Sequence, residues 1–248
     1  MNTHAAAGKR WTDKELDDLT VENQFRLRGL EVTRLDTFVD AAFAFVLTLL
    51  VISFDDIPSD IPEMLAAAKG IPGFAASFAI LMMFWFQHRQ WSRRYGLENP
   101  GTILHSLTLI FVMLVYVYPL RMIHEGMFAS LTGGYLPTSY QIETYNDLRL
   151  IFIFYSAGFL AMSLLVSHLY RLAMRSSTSL ALNSIERRKT KISMQVWGLC
   201  AGFGLLSILL AHMLPDAWVL AAGYMYFVLL PAMRLPEFLD RRRNAKAS

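Results

Sequence analysis

Residues 34–54 read RLDTFVDAAFAFVLTLLVISF. A charged half-turn opens the stretch, and an apolar run follows that is long enough for a membrane helix, which needs about 20 residues. One acid, Asp40, stays inside that run, and one hydroxyl, Thr48, lies deeper. At about 100° per residue, Phe45, Thr48, Leu49 and Ile52 share a stripe roughly 100° wide, with Asp36, Asp40, Phe43 and Leu47 opposite. An acid in lipid is costly and faces protein or water. The wheel thus separates an apolar stripe with one hydroxyl from a face that requires polar partners.

The rest of the chain repeats the apolar theme. Of 248 residues, 54% are hydrophobic and only 17% charged, against roughly 25% charged in an ordinary soluble domain. Mean hydropathy is +0.36. Six stretches have the length and character of spans: 34–54, 72–91, 102–123, 149–173, 193–213 and 216–233. The first thirty residues are polar and lack the apolar core of a cleaved signal. The single Cys200 lies in an apolar run, which excludes disulfides within the chain.

Basic residues set the orientation. The amino-terminal segment carries Lys9, Arg10, Lys14, Arg26 and Arg28, while the first loop is acidic with only Lys69. The second loop holds Arg89, Arg93 and Arg94; the third has only Arg121 and Arg149 at its edges. The fourth carries Arg171, Arg175, Arg187, Arg188, Lys189 and Lys191, the fifth none, and the tail Arg234, Arg241, Arg242, Arg243 and Lys246. This alternation fits the positive-inside rule for six spans with both termini cytoplasmic. It also accounts for the basic clusters without nucleic acid.

The expected fold is therefore an all-α membrane protein with six transmembrane helices. Residues 1–33 form a cytoplasmic amphipathic segment, 34–234 the membrane unit and 235–248 a basic cytoplasmic tail. TDKE at 12–15 has the form of a capping box and predicts an amphipathic helix leading into the first span. Pro58 and Pro62 predict a turning first outer loop. Residues 124–148 form the longest outer segment.

Depth brings further residues together. Counting inward from the cytoplasm at 1.5 Å per residue, Asp40, His88 and His105 fall in one layer. A carboxylate with two imidazoles, whose ordinary titration lies near neutral pH, makes a hydrogen-bonded cluster. Such a cluster locks three helices together or, in the sharper reading, tunes opening with pH. The spacing does not match a metal site, no cofactor is implied, and no nucleophile accompanies the three, so the chain reads as no enzyme.

RLDTFVDAAFAFVLTLL resembles the first-span signature of the transmembrane protein 175 family, the lysosomal-type potassium channels and their bacterial relatives. That signature is an arginine, three residues, Phe-Ser-Asp, and an apolar run ending in Thr-Leu-Leu. Arg34, Phe38, Asp40, Thr48, Leu49 and Leu50 match, and Val39 replaces the usual serine. FWFQHRQW at 84–91 resembles the second-span pattern through Trp85 and His88, with Arg89 in place of a second histidine. LVYVYPL at 114–120 resembles the third span's finish at Pro119, and His105 or Thr108 stands near the place of a family asparagine.

The resemblance implies a homotetramer in a lipid bilayer, with the first helix of each subunit lining a central pore for monovalent cations. Potassium is the implied permeant ion. In the family, apolar side chains narrow the pore beside a threonine layer. Phe45 stands where isoleucine or leucine usually forms the narrowest ring, with Thr48, Leu49 and Ile52 in the next layers. The readings that compete with a passive channel are a transporter using Asp40 as an ion site and a non-conducting relative sealed by Phe45. The single-repeat architecture implies a prokaryotic inner membrane.

Overall fold

The computed structural model describes residues 11–52 and 59–245. The expectations resting on Lys9, Arg10, Pro58 and Lys246, and on the side chain of Ile52, lie outside what is described. The described chain is a helical bundle with a small hairpin at one end. Helix α1 is Asp13–Asp17, and strands β1 (Val21–Glu22) and β2 (Phe25–Arg26) form the hairpin. Then follow α2 (Arg34–Ile52), α3 (Ile61–Ala68), α4 (Ile71–Tyr95), α5 (Pro100–Leu131), α6 (Tyr145–Arg175), α7 (Ser184–Met213), α8 (Ala221–Ala232) and α9 (Leu235–Ala245).

Helices α4 to α7 are long and apolar enough to cross a membrane. Helix α2 has 19 residues, about 28 Å at 1.5 Å each. The last expected span, 216–233, is broken: a 3₁₀ turn over Asp216–Trp218 precedes α8, which has only 12 residues. Its length of about 18 Å falls short of a ~30 Å hydrocarbon core.

Each long helix buries a stripe at 3–4 spacing, the pattern of one face turned to a core. On α4 the stripe is Leu81, Phe84, His88, Trp91 and Tyr95; on α6 it includes Phe159, Met162, Val166 and Leu169. Side-chain caps begin α1, α3, α5, α6 and α7. Asn99 and Thr102 cap α5 reciprocally, and Asn183 and Glu186 do the same for α7. Pro119 does not end its helix. Helix α5 continues to Leu131, since proline removes one backbone bond and packing holds the remainder. The first outer loop likewise contains α3, with Pro62 in its first turn, where the missing N–H costs nothing.

The segment before α2 is not one amphipathic helix. The capping box forms between Thr12 and Glu15, but α1 stops after five residues. A hairpin replaces the rest, with Val21 opposite Arg26 and Glu22 opposite Phe25. Asn23 and Gln24 both adopt positive φ, the geometry of a two-residue type I′ turn.

This hairpin is pinned to its own chain. Phe25 is fully buried, edge-on to Tyr95 at 5.5 Å, beneath the Arg94 guanidinium at 5.0 Å. Arg28 makes a two-pronged bond to Glu186 at 3.1 and 2.9 Å, and its Nε donates to the Leu180 carbonyl at 2.8 Å. Both side chains of that ion pair are 0% exposed. Gly29 then passes against Gly96, the left-handed cap of α4. A Cβ on Gly29 would lie 2.3 Å from the Ser92 carbonyl oxygen, so only glycine fits there. Lys189 binds the Asn23 carbonyl and Arg188 binds Asp240 on α9. The amino-terminal hairpin and the carboxy-terminal helix therefore meet at the same end of α7.

Candidate pore-lining site

Helix α2 packs on α4 and α5. Val39, Phe43, Val46 and Leu50 form its buried stripe. The other side shows Arg34, Phe38, Ala41, Ala44, Phe45, Thr48 and Val51 to the outside of the chain. Phe45 is 57% exposed. Leu49 lies on the flank, partly buried against the core.

Thr48 donates its hydroxyl proton to the Ala44 carbonyl at 3.0 Å. The donor is thereby satisfied along the helix. The oxygen keeps its lone pairs, and the residue is exposed on the outward face.

At the start of α2, Thr33 and Asp36 cap one another through bonds of 2.9 to 3.2 Å. Ser92 donates to Asp36 at 2.5 Å. One turn on, the Trp85 indole N–H donates to Asp40 at 2.8 Å. Asp40 sits at the exposed edge of the helix and not on a buried side. The Arg89 guanidinium lies over the Trp85 ring at 5.5 Å. Two acids a turn apart on α2 thus meet two donors seven residues apart on α4, as antiparallel helices allow.

The expected cluster of Asp40, His88 and His105 does not form. His88 is buried and shares a 2.9 Å bond with Ser106 of α5. His105 donates from Nδ1 to the Gly101 carbonyl at 2.6 Å, and its ring stacks on His168 at 4.6 Å. Depth placed the three at one level, but helix rotation turned each toward a different neighbour. Sequence reasoning missed Ser92, Ser106 and His168 as partners. The Asp36–Asp40 spacing of one turn was the signal for a second acid on the same side. Among the described residues no group of three metal-ligating side chains comes together.

Arg34, Leu35, Phe38, Glu98, Ile103 and Leu107 surround a recess of about 440 Å³ between the starts of α2 and α5. At the opposite end, Arg121 donates to Glu125 at 2.5 Å, and Glu125 accepts from the backbone and hydroxyl of Ser139 at 3.0 and 2.6 Å. Tyr140 donates to the Met122 carbonyl at 2.6 Å. Burial, reinforced by Glu125, pushes its phenol up to about 12. The outer segment is shorter than the expected 124–148, because α5 and α6 extend into it.

A multi-pass helical bundle in which the acid-bearing α2 is tied to α4 defines a class: integral membrane proteins built from membrane-crossing helices. The comparisons go further. A family model, endosomal/lysosomal potassium channel TMEM175, matches residues 34–119. A potassium channel of Marivirga tractuosa is 34% identical over 223 residues, covering 84% of this chain and 87% of that protein. The solved potassium channel MtTMEM175, a variant in complex with a nanobody–MBP fusion protein, superposes with a TM-score of 0.78 at 29% identity. That match covers 90% of this chain and 99% of the other. A lysosomal potassium-selective TMEM175 homolog from Chamaesiphon minutus shares the fold, with a TM-score of 0.57 at 19% identity over 82% of this chain and 95% of that one. The chain belongs to the TMEM175 family.

Proposed function

We propose that the protein is a passive, potassium-selective channel in which α2 of each of four identical subunits lines a shared axis. The observation that carries this reading is the division of α2 into two faces. One face is buried on α4 and α5, and the opposite one carries Phe45 and Thr48, exposed in the single chain. The relatives' names add the ion.

The mechanism follows from solvation. Four Phe45 rings form a hydrophobic constriction that gates by dewetting, so a small widening admits water and ions. Potassium holds its water less tightly than sodium and crosses such a ring at lower cost. A layer of Thr48 oxygens, their protons already engaged by Ala44, offers acceptors in place of lost water. Leu49, on the flank of the same helix, extends the lining only by its exposed part. Asp40 with Trp85, His88 with Ser106 and His105 with His168 fix the helices that hold this lining, while Arg34 and Phe38 face the outside at its start.

Six membrane crossings, counting α2 and the broken segment at α8, put both termini in the cytoplasm of a prokaryotic inner membrane. The positive-inside pattern supports this, as does the meeting of the hairpin and α9 at one end of α7. Residues 34–234 form the conducting unit. Potassium flux into liposomes holding the purified protein, with sodium as the counter-test, decides the question. Equal flux of both ions removes the selectivity, and no flux of either leaves the second reading. That reading, a non-conducting relative sealed by Phe45, draws on the bulk of four phenyl rings at one level.

A further inference from the structure

The seam between α5 and α6 changes character along its length. Near the hairpin end, His105 and His168 stack across it with ring planes 21° apart. Arg171 and Arg175 follow His168 by three and seven residues, on the same face of α6, and their charges act on that histidine. Both arginines are exposed. Among the described residues neither has a carboxylate within ion-pair distance. Further along, the seam opens into an apolar groove of about 460 Å³ lined by Phe111, Val115, Tyr118 and Pro119 of α5 and by Phe154 and Ala157 of α6.

We propose that an acidic phospholipid of the cytoplasmic leaflet binds along this seam, its phosphate on Arg171 and Arg175 and one acyl chain running along the seam to the near edge of the groove at Ala157. The assignment rests on the orientation proposed above, which puts the arginine end at the cytoplasmic surface. Basic pockets between helices on that side suit acidic headgroups. Length supports the pairing. Arg171 and Ala157 are 14 residues apart on one helix, about 21 Å. A phosphate lies roughly 20 Å from the bilayer midplane, being half of a ~30 Å core plus the interfacial layer. A lipid whose phosphate meets Arg171 therefore lays its chain terminus at the groove. The His105–His168 pair lines the glycerol level between them.

Native mass spectrometry of the full-length assembly tests this, with palmitoyl-oleoyl phosphatidylglycerol and the matching phosphatidylcholine added in equal amounts. The expected result is retention of phosphatidylglycerol over phosphatidylcholine by about thirtyfold, the scale on which two arginines attract an acidic headgroup. The double variant Arg171→Gln/Arg175→Gln abolishes the preference, whereas Lys14→Gln/Lys191→Gln, which removes two exposed charges elsewhere, keeps it. Ala157→Phe puts a ring where the chain terminus reaches the groove and lowers retention of both lipids. Equal retention by the wild type, or an unchanged preference in the double arginine variant, overturns the proposal. So does dissociation of the oligomer by Ala157→Phe, which would put a second copy in the groove. Potassium flux measured on the same preparations separates the two readings. Intact flux without lipid preference sinks the lipid site alone, and lipid retention without flux sinks the channel reading alone.

Discussion

At the scale of single residues, the proposed pore gives Phe45 and Thr48, exposed on one helix face, two different tasks. Phe45 supplies bulk; truncation to alanine leaves a gap where the ring stood. Phe45→Ala is expected to raise potassium leak several-fold in liposome flux, and unchanged flux would remove it from the constriction. Thr48 supplies oxygen. Thr48→Val keeps the β-branched shape and deletes the acceptor, so the reversal potential under opposed potassium and sodium gradients should move toward the value of an unselective cation pore. An unmoved potential would take the hydroxyl out of selectivity. The two substitutions lie within a single helical turn yet should change different observables, total flux for one and the ratio of ions for the other.

At the scale of elements, the hairpin and α7 are joined by a buried ion pair. Removing one partner strands the other charge in a dry site, a loss of about 3–5 kcal/mol. Arg28→Ala should therefore lower the thermal midpoint in detergent sharply. Arg28→Met/Glu186→Met should recover part of the loss, because an apolar pair of similar volume leaves no orphan charge, although the Arg26 and Asn183 backbone N–H groups lose their acceptor. Equal damage by both variants would show that the bond geometry, and not the stranded charge, matters. The long helices α4 to α7 are legible from hydrophobic runs, and α2 from its first residue, whereas α3, α9 and the break before α8 are not. Nor is the hairpin. Its turn is Asn23-Gln24, without the glycine that normally announces such a turn, and its strands are two residues each. Phe25 falls loosely at helical spacing with other apolar residues of this segment, while its actual neighbour, Tyr95, is far away in sequence. The candidate polar cluster failed for a related reason. Depth follows from counting residues, but the rotation of each helix is set by packing against all its neighbours. Asp40 and Trp85 were both marked, yet their pairing depended on that rotation.

At the scale of the whole molecule, sidedness is the property that charge distribution dictates and that labelling can check. The native Cys200 is buried, so introduced thiols report cleanly. Lys14→Cys should react with a membrane-impermeant maleimide only from the side of the cytoplasm. Gln141→Cys, in the exposed loop between α5 and α6, should react only from outside. Labelling of both from one side would overturn the six-crossing arrangement. Crosslinked mass then distinguishes four subunits from two.

The pairing of Gly29 with Gly96 carries a mechanical corollary. The chain enters α2 directly after a point where its backbone is wedged beneath the cap of α4, with no room for even a methyl group. Helix α2 is thus moored at its foot and free of its own chain along one flank. Sliding it lengthwise like a piston would tear the mooring. Swivelling of individual side chains, or a lean of the entire protomer, leaves it whole.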